Sequence, residues 1–314
     1  MNPSKLALFC LPALFFFSSC GDSEETPRLA RETRASDPKA QALFNEARAA
    51  EKAGKTKRAT KLYRTLGIKY PLFLSAHEAA YRRAKLLERA GEPLEAFEAY
   101  NDILTKYPAS PHYAEAMNRQ QAIALDTANG NITESFVWVK TRVGLKDTAA
   151  MLTQVRENAP RAPSAELAQF TLGRLYQKEG GDRNAIKAIA AFRELTRDYP
   201  NSRYAAPAQY QIGKILLSSA RKGNQDTANL DRARQAFEDL LIAYPDSKEA
   251  PLAKGELTKL KGGETKRLFE VAEFYRKKGN VSSAIFYYQE TLNRSRSGSL
   301  HDQAQSWINK LSRP

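Results

Sequence analysis

Small and aromatic residues recur along this chain at fixed helical spacing. Five times an aromatic or leucine stands seven residues before a Tyr-Pro or Ala-Pro: Tyr63 before Tyr70-Pro71, Tyr100 before Tyr107-Pro108, Leu152 before Ala159-Pro160, Phe192 before Tyr199-Pro200, and Phe237 before Tyr244-Pro245. Eight residues after each proline comes an alanine, at 79, 116, 168, 208 and 253. A small residue precedes the aromatic by one turn at Ala59, Ala96, Ala188 and Ala233, and Thr148 breaks that pattern in the third unit. A register held this often marks a repeat architecture. Each unit reads as a helix ended by its proline, which cannot donate a backbone bond and disfavours helix in the residue before it. Ser110, Ser164, Ser202 and Ser247 are placed to cap the helix that follows. Gly54 and Gly91 supply turns inside the pairs.

The pattern resembles the tetratricopeptide repeat. Leu172, Gly173 and Tyr176 carry its Leu-Gly-x2-Tyr signature, and Ala59, Tyr63 and Pro71 match its later alanine, aromatic and proline. A sixth unit fits Val271, Ala272, Tyr275, Gly279, Ala284 and Tyr288, with Arg296 where the proline would be. The resemblance implies an all-α, right-handed α-solenoid of about six helix pairs over 40–314, with units near 40–73, 74–110, 111–162, 163–202, 203–247 and 248–314. The third unit holds extra residues near 129–146, NGNITESFVWVKTRVGLK. Phe136 and Trp138 make this an apolar loop or an extra helix, either packed on the solenoid or forming a contact patch.

The first 39 residues follow another pattern. Leu6–Phe17 is an apolar run after a start carrying Lys5, too short to span a bilayer and shaped like a secretory signal. Ser18-Ser19-Cys20 resembles the lipobox of bacterial lipoproteins, which implies a signal peptide over 1–19 and a diacylglycerol on Cys20. The alternative is an ordinary secretory signal that leaves a free thiol. Gly21 after the cysteine implies, by resemblance to proteobacterial lipoproteins, sorting to the outer membrane, facing the periplasm. Residues 20–39 are polar, contain two prolines and have no apolar period, so they read as a lipidated tether reaching on the order of 25 Å.

Charge and chemistry narrow the function. Loss of 1–19 would lower the formal charge from +14 to +13, a balance that favours anionic headgroups, lipopolysaccharide or acidic protein surfaces. No zinc-finger spacing or aromatic RNA-binding motif points to nucleic acid. Cys10 and Cys20 are the only cysteines, so a chain cut at 20 has no thiol chemistry in its folded part. His77, His112 and His301 are too scattered for a metal site. Gly54-Lys55-Thr56 lacks the first glycine of a phosphate loop, Ala49 standing there, and follows a helix. No residue pattern supports catalysis, a cofactor or a small-molecule substrate.

One row suggests a binding groove. Phe44/Arg48, Tyr81/Lys85, Phe170/Arg174, Tyr210/Lys214 and Phe269/Glu273 are pairs four residues apart on the first helix of their units, and the third unit departs with Asn118/Ala122. In the repeat family these positions look into the concave groove. Two readings stay open: a ladder that stacks aromatic peptide side chains and attracts carboxylates, or aromatics packed between helices beneath outward cations.

The segments 233–260 and 267–292, with Val271–Gly279 reading VAEFYRKKG, resemble BamD, the repeat lipoprotein of outer-membrane barrel assembly. Phe286-Tyr287 replaces that family's frequent Asn-Arg, and Gly262-Gly263 interrupts a region that is a long helix in the family. The resemblance implies a non-catalytic scaffold. Its partners would be a barrel-assembly subunit with periplasmic domains and unfolded outer-membrane proteins, which often end in an aromatic residue and a free carboxylate. The alternative is an envelope scaffold that coordinates peptidoglycan synthesis or cell division.

Overall fold

A computed structural model describes residues 36–136, 139–222 and 227–313. The signal over 1–19, Cys20, the tether up to 35 and Trp138 lie outside the described residues. The chain forms two compact units, Met1–Ala79 and Ala80–Pro314.

In the first unit, α1 (Pro38–Lys52) begins two residues inside the segment read as tether. Asp37 starts it there: its Oδ1 accepts from the Lys39 and Ala40 amides at 2.8 and 3.3 Å, and Pro38 fills the first helical position. Gly54, at φ +70°, turns the chain into α2 (Thr56–Lys69), as Gly91, at φ +76°, does in the next pair. Ala47 and Ala59 are fully buried, and the Phe44 ring packs 6.1 Å from both Tyr63 and Phe73.

The chain continues through α3 (Ala76–Arg89), α4 (Pro93–Lys106), α5 (Tyr113–Asn129), α6 (Leu145–Asn158), α7 (Pro163–Glu179), α8 (Asp182–Asp198), α9 (Ala205–Lys222), α10 (Thr227–Ala243), α11 (Ala250–Lys277), α12 (Val281–Arg294) and α13 (Ser299–Leu311). In the second unit, from α5 onward, each helix packs on the next, and α5, α7 and α9 pack in succession. Buried apolar residues form one cluster from α3 to α8 and another from α8 to α11, each spanning more than one repeat.

Two size rules operate inside the pairs. In the first two pairs, where the second helix carries tyrosine, the first has alanine at the small position with glutamate one turn later. The Tyr63 hydroxyl donates to Glu51 at 2.6 Å and the Tyr100 hydroxyl to Glu88 at 2.7 Å. Where the second helix carries phenylalanine, the small residue is glycine. A Cβ on Gly173 or Gly213 would lie 2.5 Å from the ring of Phe192 or Phe237. A buried hydroxyl needs a partner, whereas a bare ring can lie directly on the backbone.

Three sequence expectations are corrected. The serines do not cap helices. The chain makes two successive turns after each proline, Ser110 N to Tyr107 O (2.9 Å) and Tyr113 N to Ser110 O (3.0 Å), so α5 starts three residues beyond the serine. Ser110 and Ser202 instead accept from the amides two residues on, His112 and Tyr204, each at 3.1 Å. Ser164 lies inside α7, and the buried hydroxyls of Ser164 and Ser247 have no partner. The insertion is neither loop nor helix. It folds as an antiparallel hairpin, β1 (Thr133–Phe136) with β2 (Val139–Arg142), pairing Thr133 with Arg142 and Phe136 with Val139. β-Branched residues at 133, 139, 141 and 143 favour strand there, and Ile132 packs against the core at its base. Finally, Gly262-Gly263 interrupts nothing: α11 runs unbroken through both for 28 residues.

Candidate protein-interaction surface

The structure divides the aromatic–basic row. Phe44 and Phe269 are buried, Phe269 edge-on to Tyr288 at 5.5 Å. Phe170 and Tyr210 each tilt 5.7 Å from the aromatic of their second helix, Phe192 and Phe237, and keep part of their surface. Phe170 also stacks on Tyr204, 5.2 Å away, whose ring lies beneath the Arg203 guanidinium at 4.8 Å. Tyr81 lies flat on His112, 3.8 Å between centroids. The rings thus serve as packing between helices, and only some of them also present a face to solvent.

The cations divide as well. Lys85 donates to Glu115 on the next first helix at 3.1 Å, and the Tyr81 hydroxyl donates to the other oxygen of that carboxylate at 2.7 Å. Lys214 donates to Glu256 on α11 at 3.2 Å. These lysines stitch neighbouring repeats together. Arg48 and Arg174 are exposed and make no ion pair among the described residues. Glu273, where the row turns acidic, accepts from the Tyr288 hydroxyl and from Arg276, whose guanidinium lies 4.1 Å over Trp307.

These carboxylates are held ionised. The Tyr81 hydroxyl and then Lys85 hold Glu115 below the usual carboxylate range. Burial opposes charge on Glu256, but its bond to Lys214 and the nearby Lys259 outweigh it. Arg276, and behind it Tyr288, does the same for Glu273. A carboxylate with a depressed folded pKa stabilises the fold fully above its unfolded pKa, and that contribution is lost as pH falls through the folded value. Thermal midpoints are therefore expected to hold down to about pH 4.3 and fall below it. Lys214→Met should cost about 1 kcal/mol at neutral pH, and the gap to wild type should narrow once Glu256 is protonated. A gap that stays constant to pH 3 would contradict this.

Sequence reading missed the polar partners inside the stack. Gln169 and Gln209 each stand four residues before the glycine of their helix, and Gln120 stands four before Ala124. Gln169 Nε2 donates to the Ala191 carbonyl at 2.8 Å and Gln209 Nε2 to that of Ala236 at 2.9 Å. Gln120 and Asn158 close a half-buried triangle with Asn101, all three bonds at 3.2 Å or less. The recurrence of glutamine at one register position was the available signal. A cavity of about 370 Å³ between α9, α10 and α11 has Leu217, Leu230 and Leu260 as its apolar wall. Among the described residues no group of His, Cys, Asp or Glu is arranged to hold a metal ion, and no helix is long and apolar enough to cross a membrane.

Comparison with known proteins agrees with this geometry. The tetratricopeptide-repeat family model matches residues 41–72, 78–110 and 167–202. The outer membrane protein assembly factor BamD of Neisseria meningitidis serogroup B is 29% identical over 147 residues, 43% of this chain and 54% of that protein. BamD of Neisseria gonorrhoeae matches at the same identity and coverage. The chain thus spans about half the length of the curated relatives it matches. Helix pairing, repeat register and lateral stacking agree with these matches: the chain has an all-α tetratricopeptide-repeat fold and is similar over 43% of its length to the outer membrane protein assembly factor BamD.

Proposed function

We propose that this protein is a non-catalytic scaffold of outer-membrane β-barrel protein assembly. In this reading 1–19 is a signal peptide, Cys20 carries the lipid, and residues 40–314 face the periplasm and hold the partners. Those partners are a barrel-assembly subunit with periplasmic domains and unfolded outer-membrane proteins. The observation that carries the reading is the 29% identity over 147 residues to a protein of that function.

Affinity purification of the tagged full chain from gently solubilised outer membranes, with partners identified by mass spectrometry, tests it. A barrel protein carrying periplasmic repeats is the expected partner. Recovery of cell-wall synthases or hydrolases instead would replace it with a scaffold for peptidoglycan synthesis or division.

Within this reading the contact for a substrate's terminal aromatic and carboxylate is the exposed side of Phe170, Tyr204 and Arg174. Arg174 is the cation to change, because Lys85 and Lys214 are already engaged. Arg174→Glu should weaken capture of a C-terminal barrel peptide about tenfold, the scale of one charge-assisted bond, with thermal stability unchanged. Equal affinity, measured by fluorescence anisotropy, would remove the groove.

A further inference from the structure

The first unit carries a charge pattern that neither the repeat fold nor partner scaffolding requires. Between Glu51 and Glu78 the chain holds seven lysines and arginines and no carboxylate. Four of those cations, Lys57, Lys61, Arg64 and Lys69, are exposed on α2 and make no ion pair among the described residues. Arg58 alone on that helix is paired, with Glu46 at 2.7 Å. Lys57, Lys61, Arg64 and Ile68 follow one another at steps of four, three and four, which places them on one helix face. The buried stripe of the same helix is Ala59, Tyr63 and Leu66.

The row ends in aliphatic side chains left in water. Ile68 is 67% exposed, and Leu72 and Leu74 in the following turn are 50% and 74% exposed. Exposed aliphatics clustered at one end of an acid-free cationic helix form an interfacial pattern: lysines and arginines for anionic headgroups, leucines for the acyl boundary. We propose that the exposed face of α2 and the turn after it rest on the surface of an anionic phospholipid bilayer.

Charge complementarity argues for that occupant, since four exposed cations without an ion pair among the described residues match a continuous sheet of phosphates. The chain outside the described residues argues for it too. Cys20 lies seventeen residues ahead of Asp37, which caps α1, and seventeen residues reach at most about 60 Å even when fully extended, so a chain anchored there would keep its first unit near the bilayer. This second argument rests on Cys20 as the attachment site; the surface itself does not.

The test places a benzophenone amino acid at Leu72 or Leu74 of the full chain in its native envelope, with Leu252, 53% exposed in the second unit, as the reference position. Irradiation should give adducts of phospholipid mass at 72 and 74 and far fewer at 252. Each basic side chain near an anionic surface contributes a factor of about five. The combined Lys57→Gln, Lys61→Gln, Arg64→Gln variant should therefore lower the adduct yield on the order of tenfold or more while leaving the thermal midpoint unchanged. Protein adducts in place of lipid, no adducts, equal lipid yields at 252, or a yield unmoved by the triple variant would each overturn the proposal. Mass spectrometry of the N-terminal peptide reads acylation of Cys20 separately. Lipid adducts without acylation would uphold the surface and remove the anchor, and acylation without adducts would do the reverse.

Discussion

Phe192→Ala and Phe237→Ala are each expected to remove about 3–5 kcal/mol from the second unit. Both rings are fully buried at the centre of their helix pair. Each meets a glycine backbone on one side and an aromatic of the first helix, Phe170 or Tyr210, at 5.7 Å on the other. Loss of the ring leaves a void that neither neighbour can fill: glycine has no side chain to move in, and the aromatic is held by its own packing. Because each repeat contacts only its neighbours, the loss should be local. Hydrogen exchange should quicken in α9 and α10 for Phe237→Ala and in α7 and α8 for Phe192→Ala, with urea unfolding reporting the total. A loss below about 1 kcal/mol in either variant would mean that the site collapses and that the ring does not set the helix spacing.

The glycines of the second unit should respond to alanine with opposite signs. Gly173→Ala and Gly213→Ala each place a methyl 2.5 Å from a phenylalanine ring that has no room to retreat. Overpacking of this kind costs about 1–3 kcal/mol and outweighs the roughly 1 kcal/mol gained in helix propensity. Gly262 and Gly263 sit in the middle of α11 with nothing within 4 Å of a built Cβ. There the propensity term stands alone, and each alanine should add up to about 1 kcal/mol. Thermal unfolding of the four single variants measures the contrast. If all four move in the same direction, the contact between glycine and ring is not what selects glycine in the fourth and fifth pairs. Adding Phe237→Leu to Gly213→Ala should recover part of the loss, because the smaller side chain clears the new methyl.

The same residues show what was legible in the sequence. The repeat is a local property: proline ends a helix wherever it stands, and a glycine between helical runs turns the chain. The spacing of small and aromatic residues therefore revealed the helix pairs without any tertiary information. The small residues at 59, 96, 188 and 233 are fully buried, as that spacing requires. A resemblance to BamD was also legible in the sequence, and curated BamD proteins match 43% of the chain.

Partners in space were not legible. Two adjacent glycines predict a helix break by propensity, yet α11 passes through them because α10 packs on one part of it and α12 on another. Tertiary contact outweighs a local deficit of about 2 kcal/mol. Nothing local distinguishes Glu256 from its exposed neighbours; α9 brings Lys214 to it across 42 positions of sequence, and only then is its burial tolerable. The aromatic–basic row looked uniform along the chain. The stack made Phe44 and Phe269 core, gave Lys85 and Lys214 to neighbouring repeats, and left Arg174 outside. Sequence by itself determined where the helices begin and turn, because those choices are made within a few residues. The tertiary structure alone decided which faces remain for partners, because exposure is what is left after every helix has chosen its neighbours.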